Sequence, residues 1–120
     1  MDSSECYRRY RSARMRFDNE LEAIEKEYIS SNYSFKKGDI VKIKDEYNYT
    51  TTLFCIERMY LCSKLEDDRY RNPRVQLEVF EVDGEGYLVP LLKGGTSPKL
   101  RLFFPDKVIE VTAIKYKGLR

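Results

Sequence analysis

Between Glu5 and Ile29 no glycine or proline interrupts the chain, whereas from Tyr33 onward short apolar runs are broken repeatedly by Gly- and Pro-containing turns. This division sets the fold class, because a helix needs a long unbroken stretch and a small antiparallel sheet needs turns. In the first stretch, apolar and aromatic residues fall at Tyr7, Tyr10, Phe17, Leu21, Ile24 and Tyr28. Those intervals keep one face of a helix. Arg14 stands where the stripe would continue, and its aliphatic stem can lie along the seam while its head reaches water. The pattern predicts one amphipathic helix of about five to seven turns, capped by Ser3 or Ser4 and stopped by Ser30-Ser31-Asn32. Its seam would be Tyr10, Phe17, Leu21, Ile24 and Tyr28.

The charges on this helix are ordered. Arg8, Arg9, Arg11, Arg14 and Arg16 crowd the first half, and Asp18, Glu20, Glu22, Glu25 and Glu27 the second, with Lys26 alone opposing them. In a single helix this order runs against the macrodipole, at up to about 1 kcal/mol per misplaced charge. Helix stability does not explain it. A basic end that meets an anionic partner would, and so would an antiparallel helix pair in which each basic half faces an acidic half. Solvated faces without a partner are the plain alternative.

Beyond the helix, β-type runs are expected at 39–44, 51–62, 74–82, 87–92, 100–103 and 108–114. Lys37-Gly38, Asp83-Gly84-Glu85-Gly86, Gly94-Gly95-Thr96-Ser97-Pro98 and Pro105-Asp106 punctuate them. Val75, Leu77 and Val79 alternate with Gln76 and Glu78, as in a strand with one wet face, and Ile109, Val111 and Ala113 alternate in the same way with Glu110 and Thr112. Asp83–Gly86 reads as a hairpin loop. Residues 53–62 are apolar on both parities, which fits a long strand bent by a bulge and partly covered by the helix, or a short buried helix. Residues 63–73 form a polar connection. The fold class is α+β, mainly β, with a helix over 1–32 and a sheet domain over 33–120.

Phe35-Lys36-Lys37-Gly38-Asp39-Ile40-Val41-Lys42-Ile43 resembles the opening of SH3-like barrels, in which an aromatic precedes a Gly-Asp turn and a β-branched run. Phe103-Phe104-Pro105-Asp106-Lys107-Val108-Ile109-Glu110-Val111 is similar to their short turn and closing strand. The resemblance covers about residues 35–112 and implies a small antiparallel barrel of five or six strands. The chain has no tryptophan and no Ala-Leu-Tyr-Asp-Tyr-like stretch. The Pro-rich peptide binding of signalling SH3 domains therefore does not carry over.

Composition narrows the chemistry. A chain of 120 residues with 42% hydrophobic side chains can close one core without staples. Histidine is absent, which removes imidazole acid–base pairs and imidazole metal sites. Cys6, Cys55 and Cys62 lack the spacing of a zinc site, their odd and sparse count fits a reducing, cytoplasmic compartment, and Cys55 and Cys62 read as small buried hydrophobes. Glu66-Asp67-Asp68 lacks the order of a calcium loop, and Lys93-Gly94-Gly95-Thr96-Ser97 is a turn, since its lysine precedes the glycines and Pro98 follows. No cofactor, metal, membrane segment or small-molecule substrate is indicated, and no catalytic set. Net charge is only +2, so electrostatic binding would have to come from local clusters.

Two binding readings follow. The first is a protein–protein adaptor or subunit that docks through the charge-polarised helix, homodimerisation being its simplest form. Ten tyrosines beside the arginines suit an interface. The second is nucleic-acid binding through Arg8, Arg9, Arg11, Arg14 and Arg16, interleaved with Tyr7, Tyr10 and Phe17, and through a patch of Lys36, Lys37, Lys42 and Lys44 near Lys115, Lys117 and Arg120.

Overall fold

Asp2, not Ser3 or Ser4, starts the first helix. Its Oδ1 accepts the Glu5 N–H at 2.8 Å, satisfying one of the amide donors that a helix start leaves unpaired, and Glu5 supplies the acidic first turn. The structure, a computed structural model, describes residues 1–14, 18–45, 50–61 and 74–120, with the backbone alone of Arg14, Asp18 and Asp45. Cys62, the 63–73 connection and the acidic cluster within it lie outside the described residues.

Where the sequence predicts one helix there are two, α1 (Ser3–Arg14) and α2 (Asp18–Asn32). They form an antiparallel hairpin. Asn32 Nδ2 donates to the Met1 carbonyl at 3.4 Å at one end, and Arg9 meets Glu27 at 3.5 Å along its length. The break removes the conflict with the helix dipole. Arg9 and Arg11 now lie in the C-terminal half of α1, while Asp18, Glu20 and Glu22 open α2, the order each dipole favours. Ser30 and Ser31 hydroxyls donate to the Glu27 carbonyl, and Asn32 Nδ2 donates to that of Tyr28. These side chains occupy carbonyls the helix end leaves open, so the Ser-Ser-Asn stop falls where expected.

The buried side chains of the hairpin are Cys6, Ala13, Ile24, Tyr28 and Ile29. Of the expected seam, Ile24 and Tyr28 are buried, Tyr10 and Leu21 are half-buried, and Phe17 lies outside the described residues. On α1 the small Cys6 and Ala13 carry the burial in place of the tyrosines, and small residues let helices approach closely.

The sheet holds β1 (Asp39–Asp45), β2 (Thr50–Leu61), β3 (Val75–Glu81), β4 (Leu100–Phe103) and β5 (Val108–Lys115) in the order β4-β3-β2-β1-β5. The β1–β2, β1–β5 and β3–β4 pairings are antiparallel. A mainly β, α+β fold is what the sequence predicts. Pairing runs from β4 at one end to β5 at the other and does not join the two ends. Residues 87–92 are not a strand. Tyr87, Leu88 and Pro90 make single bridges, because Pro90 has no N–H to extend a ladder.

Two apolar clusters explain the mixed parity of β2. Val41, Ile43, Phe54, Ile56, Leu77 and Val79 form one, with Phe35, Met59, Phe103 and Val108 against it. Ile40, Cys55, Phe80, Val82 and Leu88 form the other, with Leu53 and Ile114. On β1, β2 and β3 the two sets have opposite parity, so both faces of these strands are apolar. Phe54-Cys55-Ile56 is therefore buried at three consecutive positions. Each large side chain so buried stabilises by about 1.5–3 kcal/mol.

The chain folds as two compact units, Met1–Ser34 with Tyr60–Gln76, and Phe35–Met59 with Leu77–Arg120. Within the first, Glu25 accepts the Leu61 N–H at 3.2 Å and the Tyr60 hydroxyl donates to Gln76 at 3.0 Å. Among the described residues no helix is long and apolar enough to cross a membrane.

Candidate functional site

The arginines of α1 are partly answered within the chain. Arg9 lies 3.5 Å from Glu27 and 3.9 Å from Glu5. Arg8 and Arg11 are exposed, Arg16 lies outside the described residues, and only the backbone of Arg14 is described. Arg8, Arg9, Ser12 and Ala13 face Glu20, Ala23, Ile24 and Glu27 across a groove of ≈ 510 Å³. Its walls carry both signs of charge, so it is not a uniformly basic cradle for phosphate. Tyr7 and Tyr10, expected to interleave with the arginines, are half-buried.

The lysines are split in the same manner. Lys36, Lys37 and Lys44 are exposed, but Lys42 pairs with Glu110 at 3.2 Å, directly across the β1–β5 ladder. At the far end Arg120 pairs with Asp83 at 2.9 Å and Glu85 at 3.2 Å. Asp83 in turn accepts the N–H groups of Glu85 and Tyr87. Its carboxyl is held below the ordinary range, chiefly by the Tyr87 N–H, against the opposing effect of burial, with the Glu85 N–H and Arg120 also lowering it.

A third surface stands out in the structure. Nine large apolar side chains of the described residues are 40–72% exposed, and all lie between Leu91 and Leu119. Five of them sit on one stretch of chain. After β3 the chain returns through the Asp83–Gly86 turn, and the Val89 N–H binds the Glu81 carbonyl at 3.0 Å. It then leaves as a small hairpin rooted by the Pro90–Pro98 bridge and the 2.9 Å bond from Leu91 N–H to the Ser97 carbonyl. The tip closes by Gly95 N–H to the Leu92 carbonyl at 2.8 Å, with Gly94 at a φ of 81°, a conformation glycine adopts without strain. Leu91 and Leu92 project from this hairpin, 53% and 72% exposed.

The chain re-enters the sheet as β4. Leu100 lies opposite Phe80 and Leu102 opposite Glu78, and cross-strand partners share a face. The Phe80 ring meets Tyr116 edge-on at 5.1 Å. Arg101 and Phe103 have the other parity: Phe103 packs on the Val41 cluster, and the Arg101 guanidinium stacks 4.8 Å from the Phe103 ring centre and 5.5 Å from that of Phe54. With its inward residues thus occupied, β4 leaves Leu100 and Leu102, and Phe104 beyond it, on the surface.

β5 departs from its sequence reading. Ile109 and Val111, expected on the covered face, are 58% and 42% exposed. The register shifts between Lys42 and Ile43 and again between Asp39 and Val41, and β5 ends the sheet, so no further strand covers it. Sequence reasoning placed its candidate docking element in the helix and did not single out these exposed apolar residues. The usable signal was Leu91-Leu92 beside a Gly-Gly turn, followed by leucines two apart at 100 and 102.

Reactive groups are not gathered. Among the described residues no charged side chain is buried and no three His, Cys, Asp or Glu residues could hold a metal. Cys6 and Cys55 are buried free thiols, which burial pushes up to about 11. The chain matches no protein-family model, no curated protein and no solved structure.

Proposed function

We propose that this chain is a non-enzymatic protein-binding module that docks through the exposed apolar side chains of residues 91–104 and not through its helix. The carrying observation is that five of the nine exposed large apolar side chains of the described residues, Leu91, Leu92, Leu100, Leu102 and Phe104, fall on that one run of chain. Single exposed apolar residues are ordinary, but gathered ones mark contact surfaces. The helix hairpin is the weaker candidate, because α2 supplies the anionic counterpart that its basic half needs. The β1–β5 pairing and the one-turn 3-10 helix Pro105–Lys107 that leads into β5 support an SH3-like small barrel as the scaffold. Two buried, unpaired thiols fit a reducing, cytoplasmic setting.

The test is site-specific photocrosslinking in the cells that make the protein, with the crosslinker at Leu92 or Leu102 and, as a control, at Lys26 on α2. A protein adduct from Leu92 or Leu102 and none from Lys26 is the expected result. Adducts from Lys26 alone would return the docking role to the helix, and adducts to nucleic acid would support the alternative reading.

A further inference from the structure

The run of chain that carries the exposed leucines is itself basic: residues 91–104 hold Lys93, Lys99 and Arg101 and no acidic side chain. Residues 91–120 hold seven basic side chains against two acidic ones, Asp106 and Glu110, a net +5 in a chain whose total is +2. Residues 1–90 therefore carry a net −3. Part of the excess is engaged: Arg101 stacks on Phe54 and Phe103, and Arg120 is paired with Asp83 and Glu85. Lys93 and Lys99 are different. Both are fully described and exposed, and neither takes part in a salt bridge or ring contact. Lys93 adjoins Leu92 at the hairpin tip and Lys99 adjoins Leu100 at the start of β4, so each lysine is next in sequence to an exposed leucine.

We infer that the partner is an acidic protein segment bearing leucine-like side chains, seated on Leu91, Leu92, Leu100 and Leu102 with its carboxylates toward Lys93 and Lys99. The inference rests on the docking surface proposed above and adds the chemistry of what covers it. Complementary charge selects partners and raises the rate of encounter, while the apolar contacts supply affinity. Self-docking through this run is disfavoured, since a second copy brings the same lysines and no acidic side chain within residues 91–104. The character of the apolar set argues against nucleic acid. Seven of the nine exposed side chains are aliphatic, and bases stack on aromatic rings, which Leu, Ile and Val do not offer.

Fluorescence anisotropy on the full chain tests the inference with three labelled peptides of equal length: Leu alternating with Glu, Leu alternating with Lys, and Ser alternating with Glu. A single-stranded oligonucleotide is the fourth probe. The Leu/Glu peptide should bind at least ~10-fold more tightly than the other two peptides and the oligonucleotide. Its affinity should fall ~10-fold or more both in Leu100→Ser/Leu102→Ser and in Lys93→Glu/Lys99→Glu. All four positions are on the surface, and circular dichroism checks that each variant stays folded. Equal binding of the Leu/Lys peptide would overturn the acidic partner while leaving docking through leucines intact. Equal binding of the Ser/Glu peptide, or tighter binding of the oligonucleotide, would overturn it in favour of a general polyanion site. No binding of any probe would also overturn it, and crosslinking from Leu92 and Leu102 would then decide the docking surface separately.

Discussion

Arg9 of α1 stands 3.5 Å from Glu27 of α2, and this pair accounts for a charge order that a single helix makes costly. Folded back on itself, the basic half of the N-terminal segment faces the acidic half. Arg11 in the last turn of α1 and Glu20 in the first turn of α2 also sit where the dipole of their own helix favours their charge.

The pair is exposed, with side chains 44% and 52% accessible, so its own contribution is small, about 0.2–1 kcal/mol. Arg9→Glu should destabilise by that order, and the exchange Arg9→Glu/Glu27→Arg should recover most of the loss. A double-mutant cycle from urea unfolding measures the coupling. Additive effects of the two single variants would mean that the proximity carries no energy.

Gly86 and Gly38 should respond differently to alanine. Both have positive φ, 98° and 93°, but a Cβ on Gly86 would collide with the Lys115 carbonyl oxygen, whereas one on Gly38 meets nothing. Gly38→Ala should cost about 1 kcal/mol from backbone conformation alone. Gly86→Ala should cost more, because residues 115–118 must shift and the bonds from Lys117 N–H to the Gly86 carbonyl and from Leu88 N–H to the Gly118 carbonyl are disturbed. Urea midpoints of the two variants make the comparison.

Burial separates the core from the proposed docking surface energetically. Phe54 is 1% exposed and packs against Phe103 with ring centres 5.3 Å apart, so Phe54→Ala should cost about 3–5 kcal/mol. Leu100→Ser and Leu102→Ser should change stability by no more than about 0.5 kcal/mol. Thermal unfolding reads both. A large loss from the surface leucines would show that they stabilise the fold and are not held open for a partner.

Acid should act through Asp83. Its folded carboxyl value lies below the ordinary 3.8, so its contribution is fully present above that value and is lost as the pH falls through the depressed folded value. The stability advantage of the native chain over Asp83→Asn should accordingly be constant near neutrality and shrink on acidification. Denaturant midpoints across an acid series follow it. An advantage that persists at the acid end would separate the Asp83 ionisation from folding.

Cys6 and Cys55 should be inert. With burial pushing both thiols from 9.0 up to about 11, the thiolate fraction at mildly alkaline pH falls by about 100-fold, and labelling slows at least in proportion. In a Cys62→Ser background, a disulfide reagent should modify native protein slowly and urea-unfolded protein rapidly. The same raised values mean that stability is retained below 9.0 and declines as the pH climbs toward 11.

The sequence by itself placed helix before residue 33 and most of the strands after it, because hydrophobic period and turn residues act locally. The extents of β1, β2, β4 and β5, the Ser-Ser-Asn stop, the Asp83–Gly86 turn and the two-sided burial of β2 follow from residues within a few positions of each other. Tertiary structure decided the rest. No glycine or proline marks the break between α1 and α2, since what makes two helices preferable to one is the meeting of Cys6, Ala13, Ile24 and Tyr28 and of Arg9 with Glu27, all distant in sequence. The same holds for the exposed apolar residues. The alternation of Ile109 and Val111 is visible in the chain, but a one-residue register shift reverses which face a strand buries. Only the pairing of β5 with β1, and of Leu100 with Phe80 on β4, shows which apolar side chains are left facing water.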